Sequence, residues 1–343
     1  MIKTKVRISA LLFLAIFLLA ACGPQEVKKP PDKVSVQLKW VHQAQSAGFY
    51  LAQEKGYYAE ENIAATFLEG GPGIDNIEKV VTGGADFGVE APMGILLRRS
   101  QGKPVVAIAA IYQRNPTVFV SLADSGITRP PDFLGRTVAV SDVEGRVLLK
   151  TMMKRYGKIY FKAMMEKLDL DIHQVTIVPY QYDFSAFYSG EADVTEAYAN
   201  GGLIRIRQKG YNVNLIWPGD YGVHVYGDTL ITTDEMIAEN PDLVTRFLRA
   251  TLRGWREAIE DPEAAVAITM KYAREKDSEL QTRMMDASVP LIHTGEDQIG
   301  WMRAGVWERT HQLLLEEELL TGPVDPDKAY TMEFLQRIYG GKK

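Results

Sequence analysis

The 343-residue sequence has one cysteine, Cys22, and five scattered histidines. A single thiol excludes an internal disulfide, a paired-cysteine redox centre and a cysteine-based zinc site. The histidines show neither HxxxH nor HExxH spacing, so His42 and His224, each expected in an inter-element loop, are hydrogen-bonding candidates rather than metal ligands. A net charge of −5 supplies neither the basic surface that nucleic acid requires nor an acidic tail. There is no GxSxG nucleophile elbow, no Ser/His/Asp set at a usable spacing and no GxxxxGK(S/T) phosphate loop. The apolar run over 8–19 is too short to span a bilayer comfortably, and no internal repeat is present.

What is present at the N-terminus is directional. Lys3, Lys5 and Arg7 precede the apolar run, the pattern of a secretion signal. Leu19, Ala20 and Ala21 lead into Cys22 and match a bacterial lipobox, at which diacylglycerol is added to the thiol and the signal is cut. Residues 1–21 are therefore expected to be a lipoprotein signal peptide. Residues 22–33, with Pro24, Pro30, Pro31 and several lysines, are expected to be a flexible tether. The mature chain would be extracytoplasmic and lipid-anchored to the cell membrane through Cys22.

The stretch 34–73 organises the rest. Val34, Val36, Leu38 and Trp40 alternate with polar residues, which predicts a strand over 34–40 with Trp40 at its carboxyl end. A polar turn follows, then a helix over 47–55 that Gly56 can stop. A strand over 64–68 ends in Glu69-Gly70-Gly71-Pro72-Gly73, where small residues allow a sharp bend and close backbone approach. Both strands end on the edge where open α/β sheets bind ligands. Short apolar strands then alternate with helices, which predicts doubly wound parallel sheets in two lobes. Lobe one is expected over 34–116 and 228–343, and lobe two over 117–227. Two crossings would make a hinge, and a helical cap would fill the C-terminal end.

Two α/β lobes, two crossings, a helical cap and a lipobox resemble a type II periplasmic-binding-protein fold, the substrate-binding component of an ABC importer. Leu38-Lys39-Trp40, Ala47-Gly48-Phe49-Tyr50-Leu51-Ala52, Glu54-Lys55-Gly56-Tyr57-Tyr58, the Gly70–Gly73 turn and Gly84-Ala85-Asp86-Phe87-Gly88 are similar to the NMT1/THI5-like family. The resemblance implies capture of a flat heteroaromatic nutrient, either a thiamine pyrimidine precursor or riboflavin, with sulfonates bound by more distant members. It also implies an ABC permease as partner, no cofactor and a monomer. Thiamine-precursor binders tend to carry an acidic residue before the tryptophan and a proline soon after it. Leu38-Lys39-Trp40-Val41-His42-Gln43 departs from that pattern and favours a larger ring such as a flavin. Fungal relatives that synthesise the pyrimidine carry a cysteine-rich motif at the loop equivalent to Val143-Glu144-Gly145. No cysteine follows Cys22 here, so an enzyme of that kind is not expected.

A conjugated ring is held by aromatic faces and by hydrogen bonds at its edge. The expected ring walls are Trp40, Tyr50, Tyr112, Tyr182 and Tyr198, with Trp40, Tyr182 and Tyr198 foremost because they follow strands. Gln43 and Gln45 offer both donors and acceptors, whereas Glu90, Glu144 and Glu196 offer acceptors. Glu196 is the lobe-two counterpart of Glu90, Gly71 gives close backbone approach, and His224 adds a polar group. Each also has an ordinary structural explanation, such as core packing for the rings or, for Glu90, an exposed carboxylate at a helix start favoured by the helix dipole.

Overall fold

In the computed structural model, residues 29–141 and 157–340 are described. The signal, Cys22, most of the tether, Glu144 and the helix expected over 146–155 lie outside them.

The first strand, β1, runs Asp32–Gln37 rather than to Trp40. Its partner β2 (Ile63–Leu68) pairs with it in parallel from Asp32 to Gln37. Beyond that point the two chains stay tied by Leu38 N–H to the Leu68 carbonyl (2.9 Å) and Gly70 N–H to the Trp40 carbonyl (3.0 Å). A Cβ at Gly70 would sit 2.2 Å from the Leu38 carbonyl oxygen, so this approach requires glycine. Trp40 is thereby placed in a loop just past the strand.

Lobe one continues with β3 (Phe87–Glu90) and β4 (Val105–Ala110). Lobe two holds β5 (Thr117–Leu122), β6 (Thr137–Val140), β7 (Thr176–Pro179), β8 (Val194–Tyr198) and β9 (Val213–Ile216), and β10 (Thr229–Thr233) returns to lobe one. The sheets are ordered β2-β1-β3-β10-β4 and β7-β6-β8-β5-β9. Each is mixed rather than wholly parallel, because β10 runs antiparallel to β3 and β4, and β5 antiparallel to β8 and β9. The cause is the point of entry. Thr117 pairs with Tyr198 and Thr229 with Glu90, so each crossing delivers the chain to the edge where the neighbouring strands end. The new strand can only run back.

The C-terminal segment is helical as expected: Asp234–Glu239, Pro241–Glu260, Pro262–Tyr272, Ser278–Ile292, Ala304–Glu316 and Glu333–Tyr339. Asn240 separates the first two of these helices, and Pro241 takes the first helical position of the second, where its missing N–H costs nothing. The helix Ser278–Ile292 carries Pro290 in its last turn. Along Pro241–Glu260, buried Val244, Phe247, Leu248, Thr251, Trp255 and Ala258 recur at helical spacing and form its inner face. That face meets the helix Ala47–Glu54 at glycines: a Cβ at Gly254 would lie 2.2 Å from the Gly48 carbonyl oxygen, and one at Gly48 2.2 Å from the Trp255 ring. This backbone contact seats the helix that follows the polar turn. No helix among the described residues is long and apolar enough to cross a membrane.

Candidate functional site

The loop after β1 places Lys39 and Trp40 at the lobe-one wall of a cavity of about 190 Å³ between the lobes. Lys39 is almost wholly buried and forms an ion pair with Asp228, which stands at the end of the return crossing, just before β10. Burial alone would lower the Lys39 pKa, but Asp228, Tyr198 and Glu90 outweigh it and hold the ammonium well above the ordinary lysine value. The second Asp228 oxygen accepts from Gln45 Nε2 at 2.6 Å, and Gln45 Oε1 accepts from Gln43 Nε2 at 3.0 Å. The result is a continuous polar floor from Gln43 to Lys39. Lys39 Nζ also donates to the Tyr198 hydroxyl at 3.3 Å, reaching lobe two.

The lobe-two wall is built from the ends of β7 and β8. Glu196, within β8, accepts from Ser141 N–H at 3.0 Å and from the Ser141 hydroxyl at 2.5 Å. A Cβ at Gly157 would fall 1.3 Å from Glu196 Oε2, so the glycine leaves the space that the carboxylate occupies. Tyr180, Tyr182 and Phe184 follow β7 as an edge-to-face series, with centroids 5.2 and 5.7 Å apart. Tyr182 reaches across the opening and stacks on Trp40, with centroids 5.7 Å apart and planes at 23°.

Of the expected residues, Trp40, Gln43, Gln45, Gly71, Tyr182, Glu196 and Tyr198 line this cavity. Four others lie elsewhere. Tyr50 is fully buried, stacked on Tyr272 at 4.4 Å with its hydroxyl 2.9 Å from His42 Nδ1. His42 thus belongs to that aromatic cluster, where burial lowers its pKa against the opposing pull of Glu69. Tyr112 stands behind the floor, its hydroxyl 3.2 Å from the Gln45 carbonyl and 3.1 Å from Ser288 Oγ. Glu90 is buried at the end of β3, and its carboxylate folds back to accept from Ala91 N–H at 2.8 Å, so it is neither a cavity residue nor an exposed carboxylate at a helix start. His224 lines a separate cavity of about 70 Å³ beside the crossings, with Arg114 and Trp217. Glu144 lies outside the described residues.

Sequence reasoning missed Lys39, Asn200 and Arg205 as cavity residues. Lys39 had a signal, a cation beside Trp40 at the end of an apolar strand. Asn200 had another, a polar residue between the end of β8 and the Gly201-Gly202 helix start; its amide donates to Tyr112 and Ser288, tying lobe two to lobe one. No group of three or more His, Cys, Asp or Glu suited to a metal occurs among the described residues. The arrangement offers flat aromatic faces at the mouth, and a carboxylate and amides at the edge. That combination suits a planar polar ring.

Comparison with known proteins places this geometry in context. The chain is 25% identical to a riboflavin-binding protein of Chloroflexus aurantiacus over 96% of its own length and 98% of that protein's. It is 25% identical to a formylaminopyrimidine-binding protein of Halalkalibacterium halodurans, covering 93% and 96%. Identity to a 4-amino-5-hydroxymethyl-2-methylpyrimidine phosphate synthase of Legionella pneumophila is 22%, covering 89% and 92%. In structure it superposes on the periplasmic aliphatic sulphonate binding protein of Escherichia coli with a TM-score of 0.67 at 15% identity, over 87% of this chain and 92% of that one. The fold is that of the periplasmic binding proteins, two α/β lobes joined by two crossings. The NMT1/THI5-like family profile matches residues 43–265, the span that supplies both walls of the cavity from Gln43 onward, and the chain belongs to that family.

Proposed function

We propose that this protein is an extracytoplasmic solute-binding protein of an ABC importer that captures a flat heteroaromatic vitamin, riboflavin above others, and delivers it to a membrane permease. The observation that carries the reading is the Trp40–Tyr182 stack across the cavity mouth. Each lobe contributes one aromatic face, so a ring held by both would favour the closed arrangement of the lobes. Glu196 and the Gln43–Gln45 amides supply acceptors and donors for the ring edge. The riboflavin-binding relative, aligned over nearly the whole of both chains, supports the ligand class. Lobe movement would be taken up in the crossings near 111–117 and 222–229. Residues 1–21 would direct export and Cys22 would carry the lipid anchor.

The role is binding rather than catalysis, for the chain has no cysteine after Cys22 with which to build the motif of the pyrimidine-forming enzymes. A second reading, a thiamine pyrimidine precursor as ligand, is favoured by Glu196, since a carboxylate held by Ser141 can accept from an exocyclic amine.

The deciding experiment is an absorption spectrum of the mature domain as purified, followed by titration of riboflavin with flavin fluorescence. Yellow protein, or quenching that saturates at one equivalent, establishes the flavin reading. A colourless protein that leaves flavin fluorescence untouched ends it, and thermal-shift assays with pyrimidine precursors and sulfonates then identify the class. Trp40→Ala should weaken ligand binding by about 0.5–1.5 kcal/mol beyond the lost burial, the scale of an aromatic contact. Unchanged affinity would remove Trp40 as a ring wall.

A further inference from the structure

We propose that Lys39 selects the ligand by donating to a ring carbonyl oxygen, so that the site prefers a neutral ring with a carbonyl beside an N–H over an oxyanion or a carbonyl-free ring. This inference rests on the binding reading above and narrows its ligand class.

A lysine ammonium has three N–H groups. Lys39 is paired with Asp228 and makes a 3.3 Å contact with the Tyr198 hydroxyl, longer than the usual charge-assisted hydrogen bond. Its side chain lines the cavity, so donor capacity is available to a ligand. Among the described residues, the charge balance favours a neutral acceptor. Asp228 neutralises the ammonium, and the other described cation on the wall, Arg205, is paired with Glu275 at 2.7 Å. A buried sulfonate or phosphate would need a cation not already matched by a carboxylate, because burying net charge is costly. A neutral carbonyl gains a strong donor without that cost.

Glu196 gives the complementary half. It is buried on the lobe-two wall and presents an acceptor to the same cavity, with Tyr198 two residues beyond it touching Lys39. A donor from the lobe-one wall and an acceptor from the lobe-two wall, joined through the Lys39–Tyr198 contact, match a ring edge on which C=O and N–H are adjacent, as in the pyrimidinedione ring of a flavin. The pyrimidine of a thiamine precursor has ring nitrogens and an amine but no ring carbonyl.

The test is a cycle of protein and ligand changes. Riboflavin and its 2-thio and 4-thio analogues, in which sulfur is the poorer acceptor, are titrated against the wild-type protein and against Lys39→Met/Asp228→Asn. The double variant removes both charges of the Lys39–Asp228 pair and keeps an acceptor for Gln45. The wild type should bind riboflavin about tenfold or more tightly than one of the thio analogues, the scale of a hydrogen bond from a charged donor, and the double variant should lose that preference. Equal preference in both proteins, with riboflavin still bound, overturns the role of Lys39 and leaves the flavin reading intact. A wild-type protein that binds a carbonyl-free pyrimidine or a sulfonate and no flavin overturns both.

Discussion

Lys39→Met should destabilise the folded protein by about 3–5 kcal/mol, because it leaves Asp228 as an uncompensated carboxylate in the interior. Both side chains are almost fully buried, at 9% and 4% exposure, so water cannot take over the role of the ammonium. Gln45 would still donate to Asp228, but an amide does not neutralise a charge. Urea denaturation of the single variant and of Lys39→Met/Asp228→Asn separates the parts: the double variant should recover most of the loss. Equal stability of wild type and single variant would mean that the carboxylate finds water or a proton at little cost.

Gly254→Ala should also destabilise, by up to about 2 kcal/mol net. The added methyl would meet the Gly48 carbonyl oxygen at 2.2 Å and the Ala52 Cβ at 2.7 Å. A backbone carbonyl inside a helix cannot turn aside, so Ala47–Glu54 and Pro241–Glu260 must separate, at the cost of overpacking, about 1–3 kcal/mol. Alanine's better helix propensity offsets roughly 1 kcal/mol of that. Because Ala47–Glu54 directly follows Gln43 and Gln45, ligand affinity should fall together with the melting temperature. A variant as stable as the wild type would show that the helices have slack at their crossing.

The strands and their lobes were legible from alternation and from the βα rhythm, which depend on neighbours a few residues apart. Trp40 and Glu196 were legible as cavity candidates for the same reason, since Trp40 closes the apolar alternation that forms β1 and Glu196 lies in the short apolar run that forms β8. Strand direction after the crossings was not, because it depends on which sheet edge receives the chain. Tyr50 and Tyr112 show a second limit. An aromatic ring in a helix or at a crossing gives no local indication of whether it faces solvent, ligand or core, and the residues that cover them, Tyr272 and Ser288, lie far along the chain. The pairing of Lys39 with Asp228 joins residues 189 apart. The sequence near Lys39 announces a cation beside Trp40 but not its partner.

The placement of β10 has a consequence for how the molecule assembles. The strands of lobe two form one contiguous stretch from Thr117 to Ile216, so its sheet can close without help from either end of the chain. Lobe one cannot. Its β4 reaches the rest of the sheet only through β10, and the pairing of Thr229 with Glu90 spans 139 residues that include the whole of lobe two. Closing so long a loop is slow unless the intervening chain has already collapsed, since the entropy is lost before the contacts form. Lobe two is therefore expected to be the first part to order and lobe one the last, with the cavity floor at Asp228 completed in the same step that inserts β10.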